Sequence, residues 1–240
     1  MKPAFTFKQF AICQDRCAMK VGTDGVLLGA WARVGHCRHI LDMGTGTGLV
    51  ALMAAQRSEA DVVAIDLDAN AVAQATENVE SSPWSNRIQV LEADARELAN
   101  STQLIPNSQL FDAILCNPPF FENSLKCPDS ARTMARHTDT LSFDELARSA
   151  ASLLAPQGEL SVVIPYDRAR DMTISAACCG LFATRQTIVV PVEGGKPKRI
   201  LMAFTREGAA HTPETLCIQD AQRNYTPVYI RLVEDFYLKI

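Results

Sequence analysis

Asn117-Pro118-Pro119-Phe120 ends an apolar run, Phe111–Cys116, and holds residue types that could grip a flat aromatic amine. An amine attached to an aromatic ring is a poor nucleophile, because its lone pair is delocalised into the ring. Attack on an electrophilic carbon needs that nitrogen to become more tetrahedral. The Asn117 carboxamide oxygen can accept from one of its N–H groups. The Pro118 carbonyl can accept from the other, its direction fixed by proline rigidity. Phe120 can stack on the ring and hold it flat. Positioning and electrostatics then carry the reaction. No early general base is required, since the amine sheds its proton readily once it is cationic. The plainer reading of these four residues is punctuation, because prolines stop strands.

A second constellation, Asp42-Met43-Gly44-Thr45-Gly46-Thr47-Gly48, follows the apolar run His39–Met43 and opens an amphipathic stretch. Glycine permits positive φ and lets a ligand approach the backbone. The helix N-terminus that follows offers free N–H groups and a positive dipole end. The spacing is G-x-G-x-G after an acid, not the G-x-G-x-x-G of dinucleotide folds. Asp42 would repel a pyrophosphate but could bind an ammonium group, such as that of a methionine moiety. A tight strand-to-helix turn is the alternative. Asp66, about twenty residues on, ends a second run and could accept from both ribose hydroxyls of an adenosine. Asp68 reads better as a helix cap. Asp94 ends a third run, where it could meet an adenine amino group beside the Ala95 amide, or cap a helix. Taken in series, these strand ends read as a cofactor site.

The elements that must position these residues alternate in type. Strands are expected over residues 5–13, His39–Met43, Asp61–Leu67, Arg87–Glu92, Phe111–Cys116, Glu159–Ile164, Thr187–Val192, Ile200–Thr205 and Leu216–Ile218. Helices are expected from a Thr23-Asp24 cap to Trp31, and over Thr47–Arg57, Ala69–Val79, Phe143–Leu154, Asp167–Cys179 and Val228–Leu238. Residues 120–140 read as a long polar loop. Strands alternating with helices imply a parallel sheet covered on both faces. The short Glu193–Lys198 connection makes its two flanking strands an antiparallel pair. The expected architecture is a Rossmann-like α/β domain over residues 1–240, with seven mostly parallel strands, an antiparallel terminal hairpin and an N-terminal extension to about residue 35. Ligands on such sheets sit at the carboxyl ends of the strands.

Composition narrows the class. The chain has 240 residues, 48% hydrophobic and 21% charged, which fits a folded core. No apolar run reaches membrane-spanning length, and the first residues lack a secretory leader, so the cytoplasm is the expected compartment. The 8 cysteines form no Cys-x-x-Cys pair, so neither a zinc site nor a disulfide framework is expected. No metal, membrane or obligate protein partner is expected. The net charge of −4 argues against a general nucleic-acid coat protein. Between Thr184 and Arg206, however, Arg185, Lys196, Lys198, Arg199 and Arg206 face only Glu193. Such a cluster is a solvated loop or a phosphate-binding patch.

The chain resembles the amino-methyltransferases that carry an Asn/Asp-Pro-Pro-Phe/Tyr motif. More narrowly, it is similar to the bacterial tRNA (adenine-N6)-methyltransferase family that modifies the adenosine 3′ of the anticodon in valine tRNA. The resemblance runs nearly end to end. It includes Phe5–Ala11, residues 19–29, the glycine motif, Asn117 to Phe121, and Ala135-Arg136-His137. It implies a class I methyltransferase fold, S-adenosylmethionine as donor and tRNA as substrate. Catalysis then falls to Asn117, Pro118, Pro119 and Phe120. Cofactor contacts fall to Lys20, Thr23, Asp42, Gly44, Gly46, Gly48, Asp66, Asp94 and Ala95, with the Lys20–Asp24 turn closing over the methionine end. RNA contacts fall to Phe121, Arg132, Arg136, His137, Lys196, Lys198 and Arg199. A glutamine methyltransferase, an rRNA adenine-N6 methyltransferase, a nicotinamide oxidoreductase and a catalytically silent RNA-binding module remain the competing readings.

Overall fold

The computed structural model describes residues 4–17, 20–98, 110–118 and 141–240. Its elements are β1 (Phe5–Thr6), β2 (Ala11–Ile12), α1 (Thr23–Trp31), β3 (His39–Met43), α2 (Leu49–Arg57), β4 (Asp61–Asp66), α3 (Ala69–Glu80), β5 (Ile88–Glu92) and α4 (Ala95–Leu98). They continue with β6 (Phe111–Cys116), α5 (Phe143–Leu153), β7 (Leu154–Pro165), a 3₁₀ turn (Tyr166–Arg168), α6 (Ala169–Cys178), β8 (Phe182–Val192), β9 (Arg199–Thr205), β10 (Glu214–Gln219) and α7 (Pro227–Val233). The long polar loop expected over 120–140 lies outside the described residues.

Eight strands form one sheet in the order β10-β8-β9-β7-β6-β3-β4-β5. β9 runs antiparallel to β7 and β8, and every other pairing in the sheet is parallel. The Rossmann-like expectation holds, with two corrections. The sheet has one strand more than expected, because β10 adds parallel to β8. For the same reason the β8–β9 hairpin is not terminal. Residues 5–13 are also not one strand. A turn closed by the Phe7 amide donating to the Phe10 carbonyl folds them into the β1–β2 hairpin.

Strands β3 and β6 are buried almost throughout, as apolar runs covered on both faces must be. Alternation along β3 puts Ile40 among the side chains of α1 and α2, and Leu41 and Met43 among those of α5 and α6. Asp42 therefore points to the α1/α2 side. α5 opens with a full capping box, Ser142 with Glu145. The N-terminal hairpin docks through Phe7, which stacks on Phe10 and bridges to Tyr237 near the other end of the chain. The segment after it is pinned to α3. Asn78 accepts from the Cys13 amide and donates to the Cys13 and Thr47 carbonyls, and Gln74 accepts from the Arg16 amide. Among the described residues, no helix is long and apolar enough to cross a membrane.

Pairing of β6 with β7 shifts register between Phe111 and Ala113. Gly158 allows it, because a Cβ there would sit 2.7 Å from the Phe111 carbonyl oxygen and 2.7 Å from Leu154 Cδ2. The backbone oxygen cannot yield as a side chain could. Gly158→Ala is expected to lower the unfolding free energy by about 1–3 kcal/mol through overpacking, measured by urea denaturation. An unchanged midpoint would mean that the strands part without strain.

Candidate active site

The turn from β3 into α2 is built from three glycines with positive φ: Gly44 at 73°, Gly46 at 55° and Gly48 at 81°. L-residues with side chains avoid this region, so the sequence can make the turn only with glycine here. The turn is held against β4. The Gly44 and Thr45 amides both donate to the Ile65 carbonyl at 2.9 Å, and the Gly46 amide donates to Asp66 Oδ2 at 2.8 Å. Among the described residues, no heavy atom beyond the chain neighbours lies within 4 Å of where a Cβ on Gly44 or Gly46 would stand, whereas Gly48 lies against Ala75 of α3. The first two glycines thus face open space and the third closes the helix against its neighbour.

That open space is a cavity of ≈ 230 Å³ at the carboxyl edge of the sheet. Its wall draws on four adjacent strand ends: Gly44 and Gly46 after β3, Ile65 to Asp68 after β4, Ala93 to Arg96 after β5, and Asn117 after β6. Cys17, Ala71 and Leu141 complete it. Of the sequence-derived cofactor residues, Gly44, Gly46, Asp66, Asp94 and Ala95 come together here. Asp66 Oδ1 accepts from the Asp68 amide at 3.0 Å while Oδ2 takes Gly46, so the carboxylate is fixed facing the cavity. Asp68 caps α3 by accepting from the Asn70 amide at 2.9 Å. Ala95 opens α4, so its amide is one of the first-turn donors that a helix leaves without an internal partner.

Asp42 sits apart from this wall. It is 1% exposed beneath the turn, where Oδ2 accepts from Thr45 Oγ1 at 2.6 Å and from the Ala51 amide at 3.1 Å. Burial pushes its carboxyl up to about 7, against the pull of those two hydrogen bonds and with a smaller push from Asp66. Sequence reasoning missed Arg96. Its guanidinium grips both oxygens of Asp94 at 2.7–2.9 Å and reaches Glu145 Oε1 at 3.6 Å. Burial raises the Asp94 carboxyl, but the hydrogen bonds and charge of Arg96 outweigh it and leave it below the usual range. An Arg two residues after an acid carries no motif signal. Cys17 was missed as well. Burial, then Asp66 and Asp68, push its thiol up to about 11, so it lines the cavity as a neutral group.

Asn117 and Pro118 follow β6, the strand beside β3. Asn117 lines the cavity and Pro118 is buried. Gly25 of α1 lies beside the carboxamide: a Cβ on it would stand 3.9 Å from Asn117 Nδ2, an ordinary contact, and a tighter 3.1 Å from Leu49 Cδ2. Pro119, Phe120, Phe121, Arg132, Arg136 and His137 lie outside the described residues. Lys20 is exposed, as is Thr23. Thr23 does not cap α1. The cap is Gly22, and the Asp24 carboxylate instead accepts from Arg199 Nε at 2.8 Å.

The basic window of residues 184–206 is split by the topology. β9 starts at the carboxyl edge, where Arg199 pairs with Pro165 at the end of β7, and finishes at the amino edge. Lys196, Lys198 and Arg199 therefore share an edge with Asn117. Arg185 and Arg206 do not. The Arg185 guanidinium lies 3.4 Å from the Trp31 ring centroid and 3.1 Å from Glu159, while Arg206 donates to the Ala151 and Leu154 carbonyls.

Together the open glycine cradle, the acidic strand ends and the helix-opening amide fit an adenosyl-methionine ligand and suit a pyrophosphate poorly. Fold and site define a class I, S-adenosylmethionine-dependent methyltransferase. The family model described as Methyltransferase small domain matches residues 22–178, and the chain belongs to this family. Proteins named tRNA1(Val) (adenine(37)-N6)-methyltransferase are similar to it over their whole length. That of Bacteroides fragilis is 48% identical over 239 residues, covering 100% of this chain and 99% of the relative. That of Haemophilus influenzae is 46% identical over 237 residues, covering 98% of each. Among solved structures, a predicted O-methyltransferase from Agrobacterium tumefaciens superposes with a TM-score of 0.64 at 20% identity, covering 89% of this chain and 96% of that one, which supports the fold.

The buried Asp42 gives a pH signature. Its raised carboxyl stays protonated in the fold up to about pH 7, while the unfolded carboxyl ionises near its ordinary value of 3.8. Its contribution to stability is complete below about pH 4 and is lost as the pH rises towards about 7. Asp42→Asn removes this dependence. The stability of the variant relative to the parent is expected to climb by a few kcal/mol over that range, at about 1.4 kcal/mol for each step of one in pH, and then to level off. A constant difference between pH 4 and pH 8 in urea titrations would show that Asp42 ionises freely in the fold.

Proposed function

We propose that the chain transfers a methyl group from S-adenosylmethionine to the exocyclic N6 of adenosine 37, the nucleotide 3′ of the anticodon, in a valine tRNA. One observation carries the reading: Asn117 stands in the wall of the cofactor cavity, one strand away from the glycine turn. Full-length similarity to relatives bearing that activity in their names supports the substrate. The chain works as one domain in the cytoplasm, with the first residues to about 35 as an extension over the site.

The cofactor supplies an electrophilic methyl carbon on a sulfonium. The chain does the rest. Asp66 accepts from the ribose hydroxyls, Asp94 from the adenine amino group, and the Ala95 amide donates to the adenine ring. Asp42 stiffens the turn under the methionine end, while Lys20 and Thr23 close that end. Asn117 Oδ1 and the Pro118 carbonyl accept the two N6 protons of the target base. The lone pair is thereby turned out of the ring plane toward the cavity. Phe120 stacks on the base, and Pro119 stiffens the turn that carries it. Lys196, Lys198 and Arg199 meet phosphates, with Phe121, Arg132, Arg136 and His137 around the flipped nucleotide. A base in an anticodon loop is partly exposed already, so its extrusion costs less than from a duplex.

Asn117→Ala is expected to reduce kcat by about 10²–10³, the usual effect of losing one aligned hydrogen-bonding group, with cofactor affinity nearly unchanged. Mass spectrometry of unmodified tRNA digested after reaction reports base, atom and position together. Methyl transfer to a protein glutamine instead of tRNA would transfer the same chemistry to another substrate. Cofactor affinity collapsing with activity would remove Asn117 from the reacting centre.

A further inference from the structure

Beyond the hairpin loop, the carboxyl edge of the sheet carries a second projecting element. β10 runs parallel to β8 and ends beside it, with the Glu193 amide donating to the Gln219 carbonyl at 2.9 Å. The chain then reverses through residues 220–224 and returns with Tyr225 bridged to Gln219. The Asp220 amide donates to the Asn224 carbonyl, and Asp220 Oδ1 accepts from the Gln222 and Asn224 amides, each at 2.9 Å. Asn224 Nδ2 also reaches Asp220 Oδ2 at 3.2 Å. This turn presents Arg223, exposed and with φ 69°, the one non-glycine positive φ among the described residues. Asparagine and glycine adopt that backbone region easily and arginine does not. A turn that needs a left-handed residue thus carries the guanidinium where its neighbours would favour glycine, which is where a function for the side chain is to be sought.

The surroundings indicate the partner. Lys196 and Lys198 are exposed on the adjacent loop, and the Tyr166 amide donates to the Lys198 carbonyl at 3.2 Å. Tyr166 is 40% exposed and Tyr225 45% exposed, the latter with its ring centroid 5.2 Å from that of Tyr229. Acids belong to the same edge, and Asp167 beside Tyr166 is exposed. Asp220 directs its carboxylate to the donors of its own turn, and Glu193 is exposed. Cations interleaved with exposed aromatic rings suit a nucleic-acid strand. From β6 to β10 there are four strand steps, so the turn stands roughly 19 Å from Asn117 at about 4.8 Å per step. At about 3.4 Å per stacked nucleotide that is five or six nucleotides from the target base.

We infer that the 220–225 turn is a second RNA-binding arm, in which Arg223 meets a phosphate of the helical stem adjoining the target loop. This rests on the tRNA reading given above. It assigns the hairpin loop to the nucleotides near the target base and the 220–225 turn to the stem.

The test titrates unmodified tRNA into the full chain and into Arg223→Gly at several salt concentrations, with thermal melts alongside. Arg223→Gly is expected to melt at the same temperature or higher, because the left-handed residue becomes glycine. Its tRNA affinity falls about threefold or more, and its log K against log salt slope becomes shallower by about 0.7–0.9, the value of one phosphate contact. A single-stranded pentanucleotide holding the target adenosine binds both proteins equally. Arg223→Asn, which also tolerates the backbone, repeats the result should the glycine variant loosen the turn. Unchanged affinity and slope in a folded variant overturn the arm alone. A parent protein that neither binds nor methylates tRNA overturns the substrate reading and the arm with it.

Discussion

The site depends on a turn whose three glycines have no side chains to hold it. Glycines gain access to left-handed backbone at the expense of chain entropy on folding, and three of them follow β3 within five residues. Their stabilisation comes from outside the turn. The Ile65 carbonyl takes two of its amides and Asp66 a third, both at the end of the next strand. Asp42 braces it from below through Thr45 and the start of α2. The turn is therefore held in place by the parallel pairing of β3 with β4. The result is a cavity floor of bare backbone, with functional side chains rising at successive strand ends. Asn117, the glycine turn, Asp66 and Asp94 follow β6, β3, β4 and β5, which are consecutive in the sheet. Three strand steps span about 14 Å, so an elongated ligand laid along the edge meets each group in turn.

What the sequence made legible was what is local. His39–Met43 and Phe111–Cys116 stand as read, because a buried parallel strand is a short apolar run with sharp ends. Alternating phenylalanines in residues 5–13 suggested a strand, but Lys8-Gln9 holds no glycine, proline, asparagine or aspartate to mark the turn found there. Arg96 on Asp94 is invisible to any motif, and Arg199 on Asp24 joins residues 175 apart. The basic window is divided for a different reason. Charges adjacent in sequence share a surface only when no strand runs between them, and β9 carries Arg199 and Arg206 to opposite edges of the sheet. The eighth strand depended on a parallel pairing between segments more than twenty residues apart, which local pattern does not encode.

Helix α1 joins the two halves of the edge. Its first turn holds Gly25, which lies beside Asn117, and Asp24, which takes Arg199 from the start of β9. Both partners of that ion pair are about 70% buried, and such pairs add little net stability once desolvation is counted. Its value is geometric. It fixes the base of the basic hairpin relative to the helix that abuts Asn117, so a strand held by Lys196 and Lys198 is placed relative to the reacting centre. The same pairing reassigns Arg199. With its Nε committed to Asp24, it anchors the loop, whatever part it takes in the proposed phosphate contact.

A neutral acceptor at position 117 follows from the charges around it. The cavity already holds the carboxylates of Asp66, Asp68 and Asp94, with Asp42 buried behind the turn. A fourth carboxylate in the wall would raise its own proton affinity and those of its neighbours, as like charges do at close range. Once protonated it would donate where the chemistry needs an acceptor. A carboxamide keeps its oxygen lone pairs at any pH. It also places no full charge beside an amine that becomes cationic during the proposed transfer, so it does not trap the methylated product as an ion pair. In the proposed transfer the amine is held by hydrogen bonds to neutral acceptors, and no ion pair remains once its proton leaves.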